Sequence, residues 1–121
     1  MQKPYRVSCH CGDIRFEVDA PLAELIECNC STCRRSGFLR WKVAARSVRL
    51  LTEKRSLSAY VWRDLTERHH FCPRCGSALL RTGYPDDPVS VNARCIEDID
   101  VFALEIERFD GRNEMPPGPL P

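Results

Sequence analysis

No apolar run in this 121-residue chain is long enough to span a bilayer, which excludes a transmembrane helix. An excess of charge of one sign is missing too. Eighteen Lys and Arg stand against seventeen Asp and Glu, a formal net charge of +1, so bulk electrostatics select no partner. Nucleic acid is not an expected partner, because the basic residues are not interleaved with aromatics, which make up only 8% of the chain. Met1 to Pro4 is polar and runs straight into a strand-like segment, without the apolar stretch of a signal peptide. The expected location is the cytoplasm, with no membrane association. There is no internal repeat beyond recurring cysteine pairs.

What is present describes an ordinary globule. The length suits one domain, and the 43% hydrophobic and 29% charged shares are those of a folded soluble chain. Ile14, Phe16 and Val18 alternate with Arg15, Glu17 and Asp19, the period of a half-buried strand. Tyr5 to Ser8 is expected to pair with it across the turn Cys9-His10-Cys11-Gly12. Further strands are expected over 41–44, 48–52, 57–62, 67–71, 78–82 and 89–93. The pair 57–62 and 67–71 would be joined near Arg63-Asp64, and Tyr84 to Pro88 reads as a breaker run. Phe102, Leu104 and Ile106 alternate with Ala103, Glu105 and Glu107 and read as a last strand. One short helix or turn should follow Cys30, capped by Ser31 or Thr32. The sum is a mostly-β domain of short strands over residues 1–114, followed by a Pro-rich tail, 115–121, that can form neither helix nor sheet.

Charge is unevenly placed. Arg34, Arg35, Arg40, Lys42, Arg46, Arg49, Lys54 and Arg55 crowd the middle, and the C-terminal part, with Glu97, Asp98, Asp100, Glu105, Glu107, Asp110 and Glu114, is acidic. These are either solvated faces that pair with one another or a basic rim for an anionic small molecule.

The eight cysteines carry the chemistry. Seven fall in three clusters: Cys9-His10-Cys11, Cys28-Asn29-Cys30-Ser31-Thr32-Cys33 and Cys72-Pro73-Arg74-Cys75-Gly76. In a secreted chain such density would read as a disulfide framework, but this spacing reads as metal ligation. A Cys-Pro-x-Cys-Gly turn aims two thiolates at one point, and a closed zinc tetrahedron needs two more. Cys9 and Cys11, in the turn of the first hairpin, are the natural complement. Cys28, Cys30 and Cys33 then remain as a set of three, which leaves a coordination position open, as catalytic zinc sites do. Other partitions stay open, since Cys95, His69 or His70 could complete the triplet. The default reading for Cys95 is a buried free cysteine, and for His69 and His70, on opposite faces of one strand, packed or exposed side chains.

The ordered set C-x-C, C-x-C-x-x-C, C-x-x-C-G resembles the glutathione-dependent formaldehyde-activating enzymes, grouped with centromere protein V. The resemblance runs from about Ser8 to Asp98. It rests on Ser8-Cys9-His10-Cys11-Gly12, the run from Cys28 to Arg35, His70-Phe71-Cys72-Pro73-Arg74-Cys75-Gly76, and Val91-Asn92-Ala93-Arg94-Cys95-Ile96. It implies a β-tent fold built from short antiparallel strands. It also implies a structural zinc on Cys9, Cys11, Cys72 and Cys75, and a second, active-site zinc on Cys28, Cys30 and Cys33. The implied activity is that of a carbon–sulfur lyase, with glutathione and formaldehyde forming S-hydroxymethylglutathione.

A zinc ion with an open position can hold a substrate sulfur as thiolate and polarise a carbonyl oxygen. Three thiolates already outweigh its charge, which favours thiol exchange over water activation. Arg34 and Arg35, with Arg40, are candidates to hold substrate carboxylates, and no residue stands out as a general base. The rival reading is a non-catalytic, zinc-stabilised binding module for a protein or a small anion.

Overall fold

The computed structural model describes residues 4–53, 56–61, 66–84 and 88–114. The tail 115–121, Lys54, Arg55, the turn at Arg63-Asp64 and residues 85–87 of the breaker run lie outside the described residues. The first hairpin forms as the alternation requires. Strand β1 (Tyr5–Ser8) pairs antiparallel with β2 (Arg15–Val18), and Phe16 and Val18 of β2 face inward. The next strands are β3 (Leu25–Cys28), β4 (Leu39–Ala44) and β5 (Val48–Leu50). β5 closes the other side of β2, giving a three-stranded sheet in the order β1-β2-β5.

Five more strands follow: β6 (Ser58–Val61), β7 (Arg68–Phe71), β8 (Ala78–Thr82), β9 (Pro88–Asn92) and β10 (Ile106–Phe109). With β3 and β4 they build a seven-stranded sheet, β10-β3-β4-β9-β8-β7-β6. Every pairing is antiparallel except that of β10 with β3, which is parallel and sets Phe109 opposite Cys28. The fold is mostly β, with two short helices, α1 (Ser31–Ser36) and α2 (Gly111–Glu114).

One core draws on both sheets. Phe16, Leu39, Trp41, Leu79 and Val91 are fully buried in it. Trp41 satisfies its indole N–H on the Pro21 carbonyl at 2.9 Å and meets Tyr5 edge-on at 5.5 Å, so the ring is buried without a stranded donor. Asn92, at the end of β9, is the polar counterpart. Its Oδ1 accepts from the amides of Leu39 (3.1 Å) and Arg94 (3.2 Å), and its Nδ2 donates to the Ala78 carbonyl at 2.8 Å. One buried amide thereby ties β4, β8 and the turn after β9 together.

Three expectations from the sequence are corrected and one strand is added. Cys30, not Ser31 or Thr32, caps α1: its sulfur accepts from the Cys33 amide, and Gly37, at φ 65°, ends the helix in the left-handed region. The alternation over 102–106 is not a strand. Asp100 caps a 3-10 turn at Val101–Ala103, Phe102 is 99% exposed, and strand geometry begins only at Ile106. Cys95 ends a second 3-10 turn, Ala93–Cys95, that Asn92 caps, and it is half-buried rather than buried on a strand. Strand β3, which delivers Cys28, was not anticipated at all.

Candidate active site

Two turns converge to form the first cysteine cluster. Cys9 and Cys11 lie between β1 and β2, and Cys72 and Cys75 between β7 and β8. The amide of Gly12 bonds the Cys9 carbonyl at 3.1 Å, and that of Gly76 bonds the Cys72 carbonyl at 2.8 Å. A bond from the His10 amide to Ser77 Oγ, 3.2 Å, joins the two turns, while the His10 side chain is exposed. All four sulfurs lie within 4.8 Å of one another. Cys9 and Cys11 are 3.6 Å apart, and Cys11 and Cys72 3.7 Å. A zinc tetrahedron with Zn–S bonds of about 2.3 Å has sulfur–sulfur edges of about 3.8 Å, so the donor set fits that ion. Amide donors face the sulfurs as thiolates require: Ile14 N lies 3.3 Å from Cys9 Sγ. Ser77 Oγ, 3.2 Å from Cys75 Sγ, is the first cause of a Cys75 thiol held at about 5, followed by the Cys11 and Ser77 amides.

The second cluster is built locally. β3 ends at Cys28, Cys30 caps α1, and Cys33 lies in the first turn of the helix. The amide of Cys30 points at Cys28 Sγ and that of Cys33 at Cys30 Sγ, both at 3.4 Å. The three sulfurs are buried and lie within 4.8 Å of one another. Asn29 braces the turn from the other side, donating to Asp110 Oδ1 at 3.0 Å and accepting from the Arg112 amide at 2.9 Å. The hydrogen bond between Cys33 and Cys30 divides the pair. It is the largest of the effects that hold Cys30 at about 5, backed by the amides of Cys33 and Thr32, and it pushes Cys33 up, with burial adding and Arg81 opposing. The donor set of three thiols suits a soft divalent ion with one position left open.

The remaining candidates stay out of both clusters. Cys95 turns its thiol to the Ala78 carbonyl at 3.4 Å. His70 Nε2 meets Thr82 Oγ1 at 2.8 Å, and His69 Nε2 lies 3.6 Å from Glu67 Oε2. None of the three joins the triplet, so the described residues offer it no fourth protein ligand.

A cleft of about 470 Å³ opens beside the triplet, and Cys28 and Cys33 form part of its wall. Arg34, Arg94 and Arg108 line it together with the carboxylates of Glu27 and Asp110. Three guanidinium groups face two carboxylates in this lining, and Glu27 pairs with Arg94 at 3.2 Å and with Arg108 at 3.3 Å. Asn113 and Asn29 hydrogen-bond Asp110 and hold its carboxyl below the usual carboxylate range. Arg35 is not part of the cleft wall; its Nη1 donates to the Ser31 carbonyl at 2.9 Å. Arg40 and Lys42 line a separate cavity of about 330 Å³ with Tyr84 and Ser90. Arg49 pairs with Glu17 at 2.6 Å. Among the described residues, the basic middle of the chain is thus split, with Arg34 in the cleft, Arg40 and Lys42 in a separate cavity and Arg49 paired with Glu17.

Sequence reasoning missed Arg94, which the turn after β9 sets 3.2 Å from Glu27 of β3, and Arg108 and Asp110, which the parallel β3–β10 pairing brings to the cysteines. It also missed Arg81, whose Nη1 lies 3.1 Å from Cys33 Sγ. Arg81 closes the apolar run Ala78-Leu79-Leu80, and its charge alone reads as a surface residue.

The family model described as glutathione-dependent formaldehyde-activating enzyme matches residues 4–110. Among solved structures, the chain is similar to a crystal structure of a Rhodobacter sphaeroides protein, at 26% identity and a TM-score of 0.77. The match covers 86% of this chain and 99% of that one.

Proposed function

This chain belongs to the glutathione-dependent formaldehyde-activating enzyme family, and on that premise we propose that it is a zinc-dependent carbon–sulfur lyase for the adduct of a small thiol, such as glutathione, with formaldehyde. The observation that carries the reading is the placement of a buried three-thiol cluster in the wall of a cationic cleft. The cleft volume falls within the range of about 300–1,000 Å³ usual for small-molecule sites. One zinc would sit on Cys9, Cys11, Cys72 and Cys75 as a structural ion, and a second on Cys28, Cys30 and Cys33. At the second site zinc would supply a position that holds a sulfur as thiolate and polarises a carbonyl oxygen.

The chain's own residues do the rest. Arg34, with Arg94 and Arg108, takes the carboxylates of the thiol, and Asp110 faces its ammonium group. These contacts orient the sulfur toward Cys28 and Cys33 and hold the reactants in one place. Phe38 and Phe109 keep that side of the cleft dry. In the adduct-forming direction a sulfur–carbon bond forms as the carbonyl π bond opens, and the thiol proton ends on oxygen; the lyase direction reverses each step. Thiolate chemistry of this kind suits a reducing compartment such as the cytoplasm.

The test is calorimetric titration of glutathione, with formation of the formaldehyde adduct followed in parallel. The proteins are the wild type, Arg34→Ala and a triple variant with Cys28, Cys30 and Cys33 changed to Ser. The triple variant should stay folded and lose both binding and turnover. Arg34→Ala should weaken binding by about tenfold, the effect of losing one charged hydrogen bond. Wild type with two zincs bound that neither binds a thiol nor speeds adduct formation would remove the lyase reading.

A further inference from the structure

Arg81 is the penultimate residue of β8, with 5% of its surface exposed. A cation so placed is stable only when paired, because burial strips its hydration. Among the described residues no carboxylate pairs with it. Its guanidinium stacks 4.0 Å above the Phe38 ring, and its Nη2 reaches Ser36 Oγ only at 3.5 Å. Its Nε has no hydrogen-bond partner among the described residues. Its closest acceptor among the described residues is Cys33 Sγ, 3.1 Å from Nη1, a short contact for nitrogen and sulfur.

We infer that Arg81 is the built-in counter-charge of the three-cysteine site, a positioning residue that fixes the direction of Cys33 Sγ and offsets the surplus negative charge of the cluster. Three thiolates outweigh a divalent cation by one charge, and Arg81 returns the assembly to neutrality. A neutral assembly accepts a further anionic sulfur at the open position with less repulsion than an anionic one. Arg81 thereby contributes to the preference for a thiol over water. Among the described residues the four-cysteine cluster shows no such partner: Ser77 and backbone amides serve its sulfurs. This inference rests on the reading of Cys28, Cys30 and Cys33 as a metal site.

Cobalt(II), whose thiolate charge-transfer absorption reports each Co–S bond, replaces zinc in the test. Wild type, Arg81→Met and Arg81→Lys are prepared folded with cobalt in place of zinc, and the affinity of each site is obtained by competition with a chelator. The four-cysteine band should be the same in all three proteins. The second band should weaken by about 10–100-fold in affinity in Arg81→Met, as loss of a partner to a metal ligand does, and shift in wavelength; Arg81→Lys should recover part of both. Equal second-site affinity and an unshifted band in wild type and Arg81→Met would overturn the inference while leaving the proposed function standing. A wild type that takes only one cobalt would remove the metal reading of the triplet and the inference with it. Should Arg81→Met fail to fold, the same substitution in a Cys33→Ser background decides. With the thiolate gone, removing the orphaned cation should raise the melting temperature above that of Cys33→Ser alone, and a fall or no change there would overturn the pairing.

Discussion

The sulfurs of Cys11 and Cys72 lie 3.7 Å apart although 61 residues separate them in the chain. Bringing them together closes a loop that includes most of the seven-stranded sheet. A metal ion at this point contributes its binding energy directly to folding, because the unfolded chain has no such site. Cys72, itself fully buried in the core, is the most sensitive of the four. Cys72→Ser should give a chain with no cooperative thermal transition, and chelator treatment of the wild type should have the same effect. A sharp melt for metal-free Cys72→Ser, followed by far-ultraviolet circular dichroism, would contradict this.

Asn92 makes a second, metal-independent prediction. Its side-chain amide serves Leu39, Arg94 and Ala78 at once. Asn92→Ala strands buried backbone groups and should lower the unfolding free energy by about 3 kcal/mol, read from the urea midpoint at unchanged slope. A loss smaller than about 1 kcal/mol would mean that water replaces the amide freely.

Cys95 should be dispensable for metal. Its thiol donates to the Ala78 carbonyl, and burial first, then the nearby Cys9 and Cys75, push its pKa up to about 11, so it stays protonated at neutral pH. Cys95→Ala should retain the full metal content by elemental analysis, with a stability loss of about 1 kcal/mol. Loss of one metal equivalent would place Cys95 among the ligands.

Acid should act through His69. Burial first, then the charges of Arg81 and His70, hold its imidazole at about 4, below its ordinary 6.5. The unfolded chain therefore takes up this proton before the folded one. Stability is intact above about pH 6.5 and falls as the pH drops toward about 4. Because cysteine ligands also respond to acid, the difference between wild type and His69→Phe is the useful quantity. The urea midpoint of the variant should fall less steeply over that window. Parallel curves, or a His69 ring resonance titrating near 6.5, would show the opposite.

Much of this was legible in the sequence because it is local. Alternation at Ile14, Phe16 and Val18 gives the first hairpin, and cysteine spacing offers, with other partitions still open, the two groups that the fold assembles. What was not legible is non-local or depends on a cap. Leu25-Ile26-Glu27-Cys28 has no clear period of two, and its strand exists because β4 and β10 flank it. Phe102, Leu104 and Ile106 alternate convincingly, yet the Asp100 side chain captures the Phe102 amide at 3.1 Å and turns the chain before a strand can start. Arg81 would be assigned to the surface from its charge, and only the position of Cys33 explains why it is buried.

The central claim is that Cys28, Cys30 and Cys33 hold a metal whose remaining position faces the cleft lined by Arg34, Arg94 and Arg108. Anomalous diffraction at the zinc absorption edge, on crystals of protein purified with its native metal, tests it most directly. The account predicts two zinc peaks. One should have four cysteine sulfurs around it, and the other three sulfurs plus a water or small thiol on the cleft side. A single peak at the four-cysteine site, or a second peak closed by a fourth protein ligand, would contradict it.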